Sequence, residues 1–174
     1  MGLPFLPVRG VLGSDYMRVR EDFREMANPY DPSERVAVVP AILPDTAIFH
    51  AYQADREGNI MSDTSLNNKL LAQAARRAVI VTAEEVVDQL SWNPRRMFIP
   101  GHMLSAVVHA PGGAHPTACR GYYPVDSGHV RHYLSCAADE EKWKAYLENY
   151  VYGVRDHAEY CRLVNLDSLW ERRC

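Results

Sequence analysis

The sequence predicts an α/β protein with an open, mainly parallel sheet, flanking helices and a C-terminal helical tail. Three observations carry this reading. Thr46–Tyr52 (TAIFHAY) and Ala78–Thr82 (AVIVT) are apolar, strand-like runs. Between them, Leu66–Ala78 places Leu70, Leu71, Ala74, Ala75 and Ala78 on one helical face. A strand, a helix and a second apolar strand imply a right-handed parallel crossover. From Asp139 onward, Trp143, Leu147, Tyr150, Val151, Val154, Ala158 and Cys161 recur at helical spacing. An aromatic stripe of this kind is read as a packing face. One domain over 1–174 accommodates the pattern, with an α/β part over 1–138 and the tail over 139–174.

The remaining elements follow in order. Gly2–Pro44 carries Pro4, Pro7, Pro29, Pro32, Pro40 and Pro44, so loop and short strand are expected there. A β-branched run, Arg35–Val39, stops at Pro40. Asp55-Arg56-Glu57-Gly58-Asn59 has turn composition. Thr82-Ala83-Glu84-Glu85 matches a capping box, and predicts a short helix containing Val86, Val87 and Leu90. Met97–Pro100 and Ala106–His109 supply further short strands. Pro111–Pro116 must be a loop, and Gly153 divides the helical tail.

Bulk properties exclude several classes. Hydrophobic residues make up 47% and charged residues 24% of 174, ordinary for a globular chain. The net charge is -3 with no basic block, which argues against a nucleic-acid partner. No run approaches the ~20 apolar residues that span a bilayer, and the start lacks the features of a secretory signal. Cys119, Cys136, Cys161 and Cys174 form no CxxC pair, so free thiols and a cytoplasmic location are expected. Phosphate-loop, GxGxxG, GxSxG and HExxH motifs are absent. His129 and His132 can share a helix face, but surface histidines are the preferred reading and no metal site is expected.

Three segments join polar groups to glycine or proline beside apolar strands. They are Gly2–Arg9 with Leu12-Gly13-Ser14-Asp15 behind it, His50–Asn59, and Gly112–Pro116 continuing to Gly121-Tyr122-Tyr123. Ligands of open α/β sheets bind outside the carboxyl ends of strands, so these loops are the natural site. The candidate ligand-binding residues are Arg9, Ser14, His50, Gln53, Gly113 and His115. Arg9 can hold a carboxylate or a phosphate, or pair with an acid such as Asp15. His50 is read first as a hydrogen-bonded core histidine, and Gln53 as facing the pocket. Gly113 can allow close ligand approach, with His115 at the rim, or both can be plain loop residues. Asp55 and Asn59 fix the turn. Glu84 and Glu85 are weak catalytic candidates, with a structural role at a helix start preferred.

Taken in order, these segments resemble the A subunits of glutaconate CoA-transferase and its relatives. The similar stretches are Gly2–Arg9 with Leu12–Asp15, Phe49–Asn59, Arg76–Glu85, Gly113–Pro116 with Gly121–Tyr123, and Tyr150–Tyr160. The resemblance implies a NagB/RpiA-like open α/β fold and a B-subunit partner in a hetero-oligomer. It also implies transfer of CoA between an acyl-CoA and a carboxylic acid, with coenzyme A as substrate and no resident cofactor. In that scheme a glutamate attacks the thioester, passing through an anhydride to a glutamyl-CoA thioester. Backbone amides stabilise the oxyanion. The family pattern places the nucleophilic glutamate outside this chain, and the usual first strands ahead of Gly2. The alternatives are a CoA-dependent ring-opening hydrolase subunit of steroid breakdown and a non-catalytic truncated or partner-binding fragment.

Overall fold

A computed structural model describes residues 3–167. Gly2 of the first loop, and the tail beyond Asp167 with Cys174, lie outside the described residues. The chain forms two compact units. One comprises the described residues up to Asp45 together with Ala74–Arg77, and the other comprises Thr46–Gln73 with the described residues from Ala78 onward.

The proline-rich first unit is more regular than its composition suggests. Strands β1 (Phe5–Val8), β2 (Arg24–Asn28) and β3 (Asp31–Pro40) form an antiparallel sheet in the order β1-β3-β2. The central strand β3 contains the expected Arg35–Val39 run and ends at Pro40, which has no N–H to continue the ladder. Pro7 is accommodated because β1 is an edge strand. β2 and β3 form a hairpin whose Asn28 side chain accepts from the Tyr30 amide at 3.0 Å and donates to Glu34 at 2.6 Å. A short helix α1 (Asp15–Val19) joins β1 to β2, and Ala37 is fully buried.

The second unit carries a five-stranded sheet. Its strands are β4 (Thr46–Asp55), β5 (Ile60–Asp63), β6 (Ala78–Val87), β7 (Arg96–Ile99) and β8 (Ala106–His109), in the order β7-β5-β4-β6-β8. β4, β6 and β8 are parallel, whereas β5 runs antiparallel to both its neighbours, β4 and β7. The sheet is therefore mixed, with a parallel half. Helix α2 (Asn68–Ala74) precedes β6, shorter than the predicted Leu66–Ala78. Its buried residues are Asn68 and Ala72, and Leu70 is exposed. The sheet core is built from small and β-branched side chains: Ala47, Ala51, Val79, Val81 and Ala83 are all buried.

The predicted helix after Thr82 does not form. Ala78–Val87 is one continuous strand, paired with β4 along most of its length and with β8 on its other edge. The β-branched residues Val79, Ile80, Val81, Thr82, Val86 and Val87 suit a pleated strand between two neighbours. The Thr–Glu pattern has no helix to cap. Its side chains turn sideways instead: Thr82 meets His50 and Glu85 meets Gln53, each from the facing β4 position.

The tail is helical, as predicted, and a further helix precedes it. Helices α3 (Ser127–Ala137), α4 (Glu140–Leu147) and α5 (His157–Leu163) are each N-capped by an aspartate: Asp126, Asp139 and Asp156. A wide helical turn, Glu148–Tyr152, ends at Gly153 and separates α4 from α5. Of the predicted stripe, Trp143 and Tyr150 pack on Tyr146 at 5.6 and 4.8 Å, whereas Val151 and Ala158 are exposed.

The Asp55–Asn59 turn is a tight point of the second unit. Asp55 accepts from the amides of Glu57 and Asn59, and Asn59 Oδ1 accepts from the Gly101 amide at 2.9 Å. A Cβ on Gly101 would lie 2.5 Å from the Glu57 carbonyl oxygen. Gly101→Ala is therefore expected to destabilise the protein by about 1–3 kcal/mol, as overpacking against backbone does, measured by urea unfolding.

Candidate functional site

Glu84 is the centre of the site. The pleat sends its side chain to the opposite face from Glu85, and it is only 3% exposed. A buried carboxylate needs hydrogen-bond donors, and three reach it. His50 Nε2 lies 2.6 Å from Oε1, the Gly112 amide donates to Oε2 at 2.7 Å, and the Tyr123 hydroxyl donates to Oε1. Burial alone would raise the pKa. The bonds from His50, Gly112 and Tyr123 outweigh it and hold the carboxyl below the usual range. The other nitrogen of His50 meets Thr82 Oγ1 at 2.7 Å, so both ring nitrogens are engaged.

The loop after β8 is shaped to deliver these donors. Gly112 adopts φ +76°, and a Cβ there would strike Leu166 at 1.9 Å. At Gly113 a Cβ would lie 2.8 Å from the Ala110 carbonyl oxygen and 3.0 Å from the His50 ring. Gly113 therefore passes close to both the Ala110 carbonyl and the His50 ring. The loop's amides are also spent internally. Gly113 donates to Ala110, Ala114 to the Tyr123 hydroxyl, and His115 to Gly112. Tyr123 thereby links the Ala114 amide to Glu84. Around it Tyr52, Cys119, Tyr122 and Leu166 form a buried cluster. Burial, followed by the charge of Glu84, pushes the Cys119 thiol up to about 12.

Beside His50 opens a cleft of about 200 Å³, with Tyr52, Asp63, Asn68, Cys119 and Arg120 among its walls. Asp63 is drawn down to about 2, first by the Ser65 hydroxyl and then by that of Tyr52. Tyr52 stacks on Tyr122 at 6.0 Å, and the Arg96 guanidinium sits 4.7 Å over its ring. Gln53 is not turned into this cleft. Its amide donates to Glu85 at 2.8 Å and accepts from Arg96 at 3.0 Å.

The other candidates separate. The His115 side chain is buried, not at a rim: Nδ1 meets the Tyr160 hydroxyl at 2.7 Å and Nε2 meets Asp126 at 3.3 Å. It ties the loop to α5 and to the α3 cap. His129, expected at the surface, is half-buried, bonds Tyr146 at 2.7 Å and packs edge-on to His115 at 5.0 Å. In the first unit Arg9 pairs with Glu34 at 3.2 Å rather than with Asp15, which pairs with Arg18. Ser14 bonds the Val11 carbonyl. Two clusters have metal-ligand character among the described residues, His50–Glu84–Cys119 and His115–Asp126–His129, each with donor atoms within 4.8 Å. The histidines and carboxylates of both already hold protein partners. Sequence reading missed Gly112, Cys119 and Tyr123 as members of the Glu84 site. The Gly121-Tyr122-Tyr123 run carried the available signal.

Residues 1–110 match the family model described as coenzyme A transferase. The chain is 36% identical over 159 residues to the A subunit of 3-oxoadipate CoA-transferase from Pseudomonas knackmussii, covering 91% of this chain and 56% of the relative. It is 34% identical to the A subunit of glutaconate CoA-transferase from Acidaminococcus fermentans, covering 95% of this chain and 59% of the relative. The crystal structure of that glutaconate coenzyme A-transferase superposes with a TM-score of 0.86 at 33% identity, over 97% of this chain and 58% of the solved one. The cholesterol ring-cleaving hydrolase IpdA subunit of Rhodococcus jostii is 31% identical, over 88% of this chain and 55% of the relative. The chain thus spans little more than half the length of these relatives.

The Glu84 bonds predict a pH signature. A carboxyl with a depressed folded-state pKa stabilises the fold above its unfolded value of about 4.3, and that contribution is lost as pH falls toward the folded value. Glu84→Gln presents an amide N–H₂ among donors. It should cost about 3–5 kcal/mol at neutral pH and flatten the acid side of the stability profile, measured by urea unfolding between pH 3 and pH 7. An unchanged profile would show that the three donors do not stabilise the anion.

Proposed function

The chain belongs to the coenzyme A transferase family, and from that membership we propose that it acts as the A subunit of a two-subunit CoA-transferase. The reaction moves coenzyme A from an acyl-CoA to a carboxylic acid, and the partner is a B subunit. The observation that carries this is the match to glutaconate coenzyme A-transferase, which runs through 97% of the chain at a TM-score of 0.86. The cytoplasm is the proposed location. Cys119, Cys136 and Cys161 are free thiols, and among the described residues no helix is long and apolar enough to cross a membrane.

The transferring carboxylate belongs to the partner in this proposal. The nucleophile must reach the thioester carbonyl with a free lone pair. Glu84 is buried behind three donors, and its depressed pKa lowers its basicity. Glu85 is half-buried and held by Gln53. Attack by the partner's carboxylate expels the CoA thiolate and leaves an acyl-glutamyl anhydride. The thiolate then attacks the glutamyl carbonyl, releasing the first acid and forming the glutamyl-CoA thioester. Attack by the incoming acid reverses the sequence. The amides of Gly112–His115 are committed internally, so the oxyanion donors of this scheme lie outside that loop. The contribution of this chain is the wall of the His50 cleft, held in place from behind by Glu84.

Two measurements test the reading. Co-expression with a B subunit of the glutaconate type should yield transfer of CoA to an added acid. Release of CoA and free acid without an acceptor would instead support a hydrolase. After incubation with acyl-CoA alone and borohydride reduction of the thioester, mass spectrometry should find the reduced residue on the partner. A reduced Glu84 or Glu85 would overturn the assignment.

A further inference from the structure

The second unit holds another cleft, which shares no lining residue with the one beside His50. It encloses about 580 Å³, within the ~300–1,000 Å³ range of small-molecule sites. Its walls are Met61, Leu90, Trp92, Met97 and Phe98, and the charged residues lining it among the described residues are Lys69 and Arg96. Both are cations, and no carboxylate lines the cleft among the described residues. Trp92 is 76% exposed and Phe98 46% exposed, although both are large and apolar.

The two cations lack counter-ions among the described residues. Lys69 is half-buried and has no hydrogen-bond or ion-pair partner among them. Arg96 donates to the neutral Gln53 side chain and lies over the Tyr52 ring, with no carboxylate in ion-pair range among the described residues. Lys69 lines the cleft beside thioether and aromatic walls, and an anion placed beside its ammonium group is attracted to it. The walls supply the complementary requirement, an apolar body.

We propose that this cleft binds a small carboxylic acid with an apolar body, of the size of a medium-chain fatty acid. The carboxylate sits at Lys69 with Arg96 behind it, and the chain lies along Trp92, Met97 and Phe98. The proposal is independent of the transferase reading, because it concerns equilibrium binding to this chain alone.

Isothermal titration of the full chain with octanoate tests it, with octan-1-ol supplying the body without the charge and acetate the charge without the body. One saturable site for octanoate is expected, with the other two at least about tenfold weaker. Lys69→Gln should weaken octanoate by about tenfold or more, the scale of a charge-assisted hydrogen bond, and Trp92→Ala by several-fold. Lys69 is unpartnered among the described residues and Trp92 is largely exposed, so both variants should fold, which circular dichroism checks. Absence of saturable octanoate binding would overturn the proposal. So would equal binding of octan-1-ol with no effect of Lys69→Gln, which would mark the cleft as an apolar patch without an anion site.

Discussion

The constraint on which the second unit depends is the burial of one negative charge. Glu84 lies in an interior strand, and an isolated carboxylate there would cost several kcal/mol. Three donors from separate places meet it: a histidine on the neighbouring strand, a backbone amide in the loop after β8, and a tyrosine hydroxyl further along that loop. Each must be positioned to within a few tenths of an ångström. Satisfying the charge therefore fixes the loop on the sheet.

Other features of the loop follow from that. Gly112 must bring its amide to Glu84 beneath Leu166, where no side chain fits. Gly113 must pass the His50 ring. Tyr123 bridges the Ala114 amide to the carboxylate, and Tyr122 stacks on Tyr52 beside it. His115 continues the chain of contacts outward to Tyr160 and Asp126, so the helical tail is tied to the same loop. The result is a rigid wall behind the His50 cleft. Its carboxylate organises the structure and is poorly placed for attack. That is the physical basis for the proposal that the nucleophile is a carboxylate other than Glu84.

Much of the architecture was legible in the sequence. The Asp55–Asn59 turn, the parallel β4–β6 pair and the helical tail follow from composition and period. The three segments singled out by glycine, proline and polar groups included the loop that carries Gly112 and His115. The misreadings have local causes. Thr82 and Glu85 sit at capping-box spacing, but three residues apart along a strand they point to opposite faces, and each found a cross-strand partner on β4. The prolines of the first unit suggest loop, yet Pro7 lies on an edge and Pro40 at a strand end, where a missing donor costs nothing. His115 reads as a rim residue because its neighbours are loop-like. Tyr160, 45 positions away, draws its side chain inward. The long-range donors of Glu84 could not be read from local pattern at all.

Hydrogen exchange at the Gly112 amide measures the central interaction most directly. In the wild type this amide should be strongly protected. In Glu84→Ala, protection is expected to fall at Gly112 and across the loop to Tyr123, while the β4 and β6 amides keep theirs. Unchanged protection at Gly112 would contradict the view that the buried carboxylate holds the loop. A uniform loss over the whole sheet would contradict the view that it holds the loop in particular.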